Sequence, residues 1–66
     1  MLDVIDLQKE GNQKPQFFLL TVRYPNKGEG YRQTIECGTE AFLRRLLSDE
    51  GIEGPAIDAM FKDALK

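Results

Sequence analysis

Histidine and tryptophan are absent from this sequence of 66 residues, and cysteine occurs once, as Cys37. Without histidine, the chain lacks the commonest general base and the standard partner of a serine or cysteine nucleophile. A structural zinc site would lack its usual nitrogen and sulfur ligands, and one cysteine cannot form an intramolecular disulfide. We therefore expect no enzyme activity, no metal site and no cofactor. A single free thiol also suits a reducing cytoplasm better than an oxidising compartment.

Long apolar runs and a strong charge of one sign are also missing. No apolar run approaches the roughly 18–20 residues that a transmembrane helix needs. The acidic start, residues 1–6, lacks the basic region of a signal peptide. Because the sequence begins at Met1, we expect a complete small reading frame, located in the cytoplasm. The net charge of −2 disfavours a strong nucleic-acid binder, which is usually basic.

The residues that are present predict a β-hairpin. Its strands are Gln16–Tyr24 and Tyr31–Cys37, and the turn-forming stretch 25–30 joins them. Pairing Leu20 with Ile35 brings most apolar residues of both strands onto one face, which we predict to be the core face. The same register makes Cys37 a buried and inert thiol. A loop of this length does not fix the register as a two-residue turn would.

The stretch 2–8 is ambiguous, because its apolar residues occur with both strand parities. The β-branched residues Val4 and Ile5 favour a strand, and a short helix that ends before Gly11 is the alternative. We favour a strand that pairs with Gln16–Tyr24, which then becomes the central strand of three. The continuous apolar run of residues 17–20 is typical of a strand that is at least partly covered on both faces.

Two amphipathic helices are predicted after the hairpin. The first covers residues 39–50, with Thr39 as its N-cap and Gly51 in the left-handed conformation after its end. The second covers residues 55–65, with Pro55 at its first position. In each helix, apolar residues three or four apart form one face that can pack on the sheet. The predicted fold is therefore a single α+β domain, a small antiparallel three-stranded meander followed by two helices packed on one face.

Three local motifs indicate structure more than function. Asp49, Glu50 and Glu53 do not have the spacing of a calcium-binding loop, so we interpret them as a solvated helix end. No helix follows the pair Gly28 and Gly30, which therefore lacks the dipole that favours phosphate binding. The two helices also suggest a helix-turn-helix, but the acidic side chains on the second helix would repel DNA.

The second face of the sheet carries the main candidate site. Phe17 and Leu19 point to it, and the first strand adds apolar residues of one parity or the other. Helices on the opposite side would leave this apolar strip uncovered, and such a strip usually marks an interface. The alternative is that a helix or a terminus wraps round the sheet and covers it. The residues that we expect to form a protein interface are Phe17, Leu19, Leu2 and Val4.

A second candidate lies at the basic end of the hairpin, where Arg23 and Arg32 face each other in the expected register. Like charges directly opposed are mildly destabilising, so either both side chains extend into solvent or they bind an anion. The main expectation is a small non-enzymatic interaction or regulatory protein of the cytoplasm, which binds a protein partner or itself as a homodimer. The alternative function is nucleic-acid binding through Arg23, Arg32, Lys27 and Lys14.

Overall fold

Strand-forming and helix-forming stretches occupy separate parts of the chain, and the structure follows that division. In the computed structural model, which describes residues 2–26 and 30–66, three strands precede two helices. The elements are β1 (Asp3–Glu10), β2 (Phe17–Asn26), β3 (Gly30–Thr39), α1 (Glu40–Asp49) and α2 (Gly54–Ala64). The strands form an antiparallel sheet in the order β1-β2-β3. The predicted α+β meander followed by two helices is confirmed, while the middle of the predicted turn, residues 27–29, lies outside the described residues.

The core lies between one face of the sheet and both helices. The central strand β2 provides Phe18, Leu20 and Val22, three alternating side chains that are at most 1% exposed. Each helix adds two buried residues that are four positions apart, which are Leu43 and Leu47 in α1 and Ile57 and Phe61 in α2. All of these side chains belong to one cluster, so both helices pack on the same face of the sheet.

The helix boundaries follow from local signals in the sequence. The Thr39 hydroxyl accepts a hydrogen bond from the backbone N–H of Phe42 at 3.3 Å, as expected of an N-cap. Gly51 has a φ of +92°, the left-handed conformation predicted after α1. Because α2 begins at Gly54, Pro55 is its second residue and not its first. The missing N–H is still harmless there, since the first N–H groups of a helix have no partner within it.

The side chain of Arg44 joins the two helices. Its Nε donates to Glu40 Oε2 at 2.7 Å within α1, and its Nη1 donates to Asp58 Oδ1 of α2 at 2.5 Å. The guanidinium also lies 5.0 Å from the ring centroid of Phe61. These contacts connect one exposed flank of α1 to α2.

An extra residue, Ile5, interrupts the pairing of β1 with β2 between Val4 and Asp6. A bulge of this kind reverses the parity of the residues that follow it. Leu2 and Leu7 therefore lie on the same side of the sheet although their numbers differ in parity. Leu2 is 2% exposed, and Leu7 packs against the core. This stretch is a strand, as favoured, and not a short helix.

The predicted register of the hairpin is wrong by one residue. Leu20 pairs with Glu36 and not with Ile35. A shift of one residue moves every side chain of a strand to the opposite face. Consequently Ile35 and Cys37 point away from the helices, and Cys37 is exposed where we predicted a buried thiol.

Gly38 provides a physical reason for this register. It pairs with Phe18 and lies on the helix side of β3. A Cβ atom at Gly38 would lie 2.6 Å from the ring of Phe42, so any side chain there would displace that ring. The predicted register would instead place Cys37 opposite Phe18. The observed register puts the residue without a side chain where the first turn of α1 meets the sheet.

Candidate protein-binding face

The sheet has a second side, here called the open face, which points away from both helices. Strand alternation and the observed register place on it residues 3, 6, 8 and 10 of β1, residues 17, 19, 21 and 23 of β2, and residues 33, 35 and 37 of β3. The buried side chains of α1 and α2 all belong to the core on the opposite side. Within the described part of the chain, neither a helix nor a terminus wraps round to cover the open face.

An apolar strip crosses the middle of the open face. It consists of Phe17, Leu19, Ile35 and Cys37. Phe17 and Leu19 are half-buried and lie where the sequence predicted them. Ile35 is 64% exposed, and Cys37 lies directly opposite Leu19. Sequence reasoning missed the last two residues because the predicted register buried them.

Two residues of the predicted interface, Leu2 and Val4, do not lie on the open face. Leu2 is part of the buried core, and Val4 pairs with Val22 and packs against that core. Their placement on the second face was wrong, because the bulge at Ile5 allows both residues to point towards the helices together with Leu7. Ile5 itself is 45% exposed at the edge of the sheet.

An acidic rim replaces these apolar residues along β1. It consists of Asp3, Asp6 and Glu10, which are all exposed. Arg23 of β2 lies opposite Asp3 and adds one positive charge at that end. Asp3 and Asp6 therefore give the open face a negatively charged border along β1, and the Glu10 carboxylate extends from that border over the apolar strip. This pattern favours a partner of complementary positive charge.

The carboxylate of Glu10 reaches across the central strand to β3. The Cys37 thiol donates a hydrogen bond to Glu10 Oε2, with Sγ 3.2 Å from the oxygen. This hydrogen bond, together with desolvation and the negative charge of Glu10, raises the pKa of the Cys37 thiol above its ordinary value. The raised pKa keeps the thiol protonated at neutral pH, which is unfavourable for a nucleophile or a metal ligand.

The residues of the predicted anion site are not brought together. Arg32 pairs with Tyr24 and not with Arg23, so the two arginines lie on opposite faces of the sheet. Lys14 precedes the start of β2, whereas Arg23 is six residues beyond Phe17, a separation of about 20 Å along the strand. Lys27 lies outside the described residues. The prediction that Arg23 and Arg32 face each other was wrong because the observed register of the hairpin differs from the predicted one by one residue.

No group of three histidine, cysteine, aspartate or glutamate side chains in residues 2–26 and 30–66 is arranged to hold a metal ion. No helix among the described residues is long and apolar enough to cross a membrane. Comparison with protein-family models, with curated proteins and with solved structures finds no match to this chain.

Proposed function

We propose that this chain is a small interaction protein that has no catalytic role and binds a protein partner on its open face. The observation that carries the proposal is the apolar strip, which includes an isoleucine that is 64% exposed and has no helix packed on it. An exposed apolar patch with a polar border is typical of protein interfaces. The free thiol of Cys37 suits a reducing environment, so we place this binding in the cytoplasm.

The chemistry of the open face defines the kind of partner. The strip of Phe17, Leu19 and Ile35 fits apolar side chains of the partner, which would lose water on contact. The acidic rim along β1 fits lysine or arginine side chains that flank them. Complementary charge of this kind mainly raises the rate of association and the specificity. The partner surface that we propose is therefore apolar at its centre and basic along one side.

Nucleic acid is a less suitable ligand for the same face. Phosphate recognition relies on clustered basic side chains, and Arg23 and Arg32 lie on opposite faces of the sheet. The three carboxylates of the acidic rim would repel a phosphate backbone that approached the apolar strip. These two features favour a protein partner over DNA or RNA.

The proposal is tested with a photo-crosslinking amino acid placed at Thr21, which lies on the open face between Leu19 and Arg23. The full chain is expressed in its source cell, irradiated and analysed for covalent adducts by mass spectrometry. Two lysine substitutions are compared, Leu19→Lys on the open face and Ala59→Lys on the exposed side of α2. The circular dichroism spectrum of each variant establishes that it is folded.

A protein adduct that disappears in Leu19→Lys and persists in Ala59→Lys is the expected result. Adducts to nucleic acid in place of protein would overturn the proposal. A protein adduct that is insensitive to Leu19→Lys would overturn it as well, because contact would then not depend on the apolar strip. The absence of any adduct from the folded wild-type chain would also overturn the proposal.

A further inference from the structure

The two edges of the sheet differ in how well they are protected against pairing with another strand. Natural edge strands are protected by bulges and by charged side chains. β1 has both, since Ile5 forms an irregularity and the acidic rim runs along the strand. β3 has ten residues and pairs with β2 in constant register from Gly30 to Thr39. On its other side no strand pairs with β3 within the described chain.

The sequence of β3 is complementary to itself in the antiparallel direction. Arg32 and Glu36 are placed symmetrically about Thr34, and all three side chains lie on the helix side of the strand. If two copies pair with Thr34 at the centre, each Arg32 lies directly opposite a Glu36. Opposite charges in such cross-strand pairs are stabilising, and like charges are destabilising. A pairing centred on Arg32 or on Glu36 would oppose like charges.

Neither of these side chains is already paired within the described part of the molecule. Arg32 and Glu36 take part in none of its side-chain hydrogen bonds or ion pairs, which involve other residues such as Arg44 and Lys66. Arg32 is exposed and Glu36 is half-exposed. Both charges are therefore accessible to a strand that approaches the free edge of β3.

A groove on α1 faces the same side of the molecule as the free edge of β3. Its lining residues, Phe42, Arg45, Leu46 and Asp49, define the α1 groove. The ring of Phe42 sits against Gly38 of β3 and is 53% exposed, an unusual position for a large aromatic side chain. The groove thus adds an apolar surface next to the free edge of β3.

The direction of the groove follows from helix geometry. Arg44 contacts α2 on one flank of α1. At 100° per residue, Phe42 and Asp49 are about 140–160° away from Arg44 round the helix axis. The backbone of α1 lies over β2 and β3, whereas the backbone of α2 lies closest to β1. The flank that points away from α2 therefore points past the free edge of β3.

We propose that a second copy of this chain binds here, with β3 pairing antiparallel to β3 about a two-fold axis at Thr34. The two three-stranded sheets become one continuous sheet, and the two α1 helices lie antiparallel on the same side. Strands are about 4.8 Å apart, so helices over β2 and β3 of each copy would be separated by about 10 Å, the usual distance between packed helices.

A small domain has a physical reason to form this dimer. Domains of this length bury a modest core and commonly gain stability from a disulfide, a metal or a partner chain. Pairing at β3 satisfies the backbone groups of an unprotected edge and covers Phe42. Symmetric interfaces between identical patches are also the commonest form of oligomer. The inference goes beyond the proposed function, because it uses an edge and a groove that the open face does not include.

A charge-exchange experiment tests both the dimer and its register. Molar mass and the dimer dissociation constant of the full chain are measured by analytical ultracentrifugation. Arg32→Glu places Glu opposite Glu36, and Glu36→Arg places Arg opposite Arg32, so each change alone raises the dissociation constant by about tenfold or more. Mixing the two variants restores both opposite-charge pairs and yields a heterodimer. Lys62→Glu, on the exposed side of α2, is the matched control and leaves the dimer intact.

The outcomes separate this inference from the proposed function. A wild-type chain that is monomeric at every concentration overturns the dimer. A dimer that is unaffected by Arg32→Glu and Glu36→Arg, or one that mixing does not restore, overturns pairing at β3. Phe42→Asp provides a second variant and weakens the dimer through the α1 groove. Leu19→Lys leaves this dimer unchanged and affects only binding on the open face.

Discussion

The rings of Phe18 and Phe61 meet edge to face, with their centroids 5.0 Å apart and their planes inclined by 87°. This contact joins the central strand β2 to α2, and both side chains are 1% exposed. Aromatic pairs in this geometry contribute beyond the area that they bury. The pair therefore lies at the point where the second helix is attached to the sheet.

We predict that Phe61→Leu lowers the free energy of unfolding but leaves the chain folded, whereas Phe61→Ala costs about 3–5 kcal/mol. The larger loss is a large share of the stability of a domain this small. Urea unfolding followed by circular dichroism measures both changes. The matched control is Leu65→Ala, an exposed leucine of the same region, which shifts stability by about 0.5 kcal/mol or less. Similar losses at residues 61 and 65 would contradict this account of the core.

The bulge at Ile5 predicts an unusual tolerance to deletion. Val4 and Asp6 already pair with consecutive residues of β2, Val22 and Thr21. Removing Ile5 therefore leaves a regular strand in which all the remaining residues of β1 keep their partners in β2. We expect the deletion to retain the fold and to cost only the contacts of a side chain that is 45% exposed.

Deletion of Gln8 is the control for the bulge. It shortens β1 by the same amount but shifts Leu7 by one position, onto the open face and out of the core. Urea unfolding should show a larger loss of stability for the Gln8 deletion than for the Ile5 deletion. The opposite order would show that Ile5 is needed to hold β1 in place.

The helical part of the fold could be predicted from the sequence because its signals are local. Thr39 and Gly51 mark the ends of α1 through backbone chemistry that depends on a few neighbouring residues. Apolar residues four positions apart, such as Leu43 and Leu47, identify the buried face without reference to the rest of the chain. The number and order of strands followed in the same way from apolar runs and turn residues.

The strand register could not be predicted because it depends on contacts between distant residues. Apolar matching favoured Leu20 opposite Ile35, yet the space under Phe42 requires Gly38 on the helix side. The signal that was available is a glycine placed just before a helix that must pack on the same strand. The bulge in β1 had a weaker signal, the occurrence of apolar residues with both parities. Each of these shifts moved residues between the core and the open face, which is why the candidate site changed more than the fold.

The stability that Arg44 contributes by connecting the two helices should depend on the salt concentration. Its ion pair with Asp58 is largely exposed, at 68% for the aspartate side chain, so dissolved ions screen it. We expect Asp58→Asn to lower the urea midpoint slightly at low salt and to have almost no effect at high salt. Arg44→Gln should cause the larger loss, part of it independent of salt, since it also removes the contact with the Phe61 ring. Equal effects of both substitutions at all salt concentrations would contradict this contribution of the ring.

The hydrogen bond from Cys37 to Glu10 predicts that this thiol reacts slowly although it is exposed. Because the carboxylate raises the pKa of Cys37, less thiolate is present at a given pH, and the thiolate is the reactive form. Glu10→Ala removes the hydrogen bond and the negative charge, so the thiol pKa falls towards its ordinary value. Reaction with a disulfide reagent near neutral pH should then accelerate, by about threefold for each unit of change in the pKa, because a thiolate of lower pKa is also a weaker nucleophile.

The measurement is the rate of thiol modification as a function of pH, with the midpoint of the profile reporting the pKa of Cys37. In Glu10→Ala the midpoint moves to lower pH, while Gln8→Ala, which changes a neighbouring residue on the same face of β1, leaves it in place. An identical midpoint in the wild type and in Glu10→Ala would mean that the carboxylate does not hold the thiol proton. Since Glu10 crosses β2 to reach Cys37 over the apolar strip, a partner bound to the open face should also slow the modification, which makes the thiol a direct probe of the proposed interface.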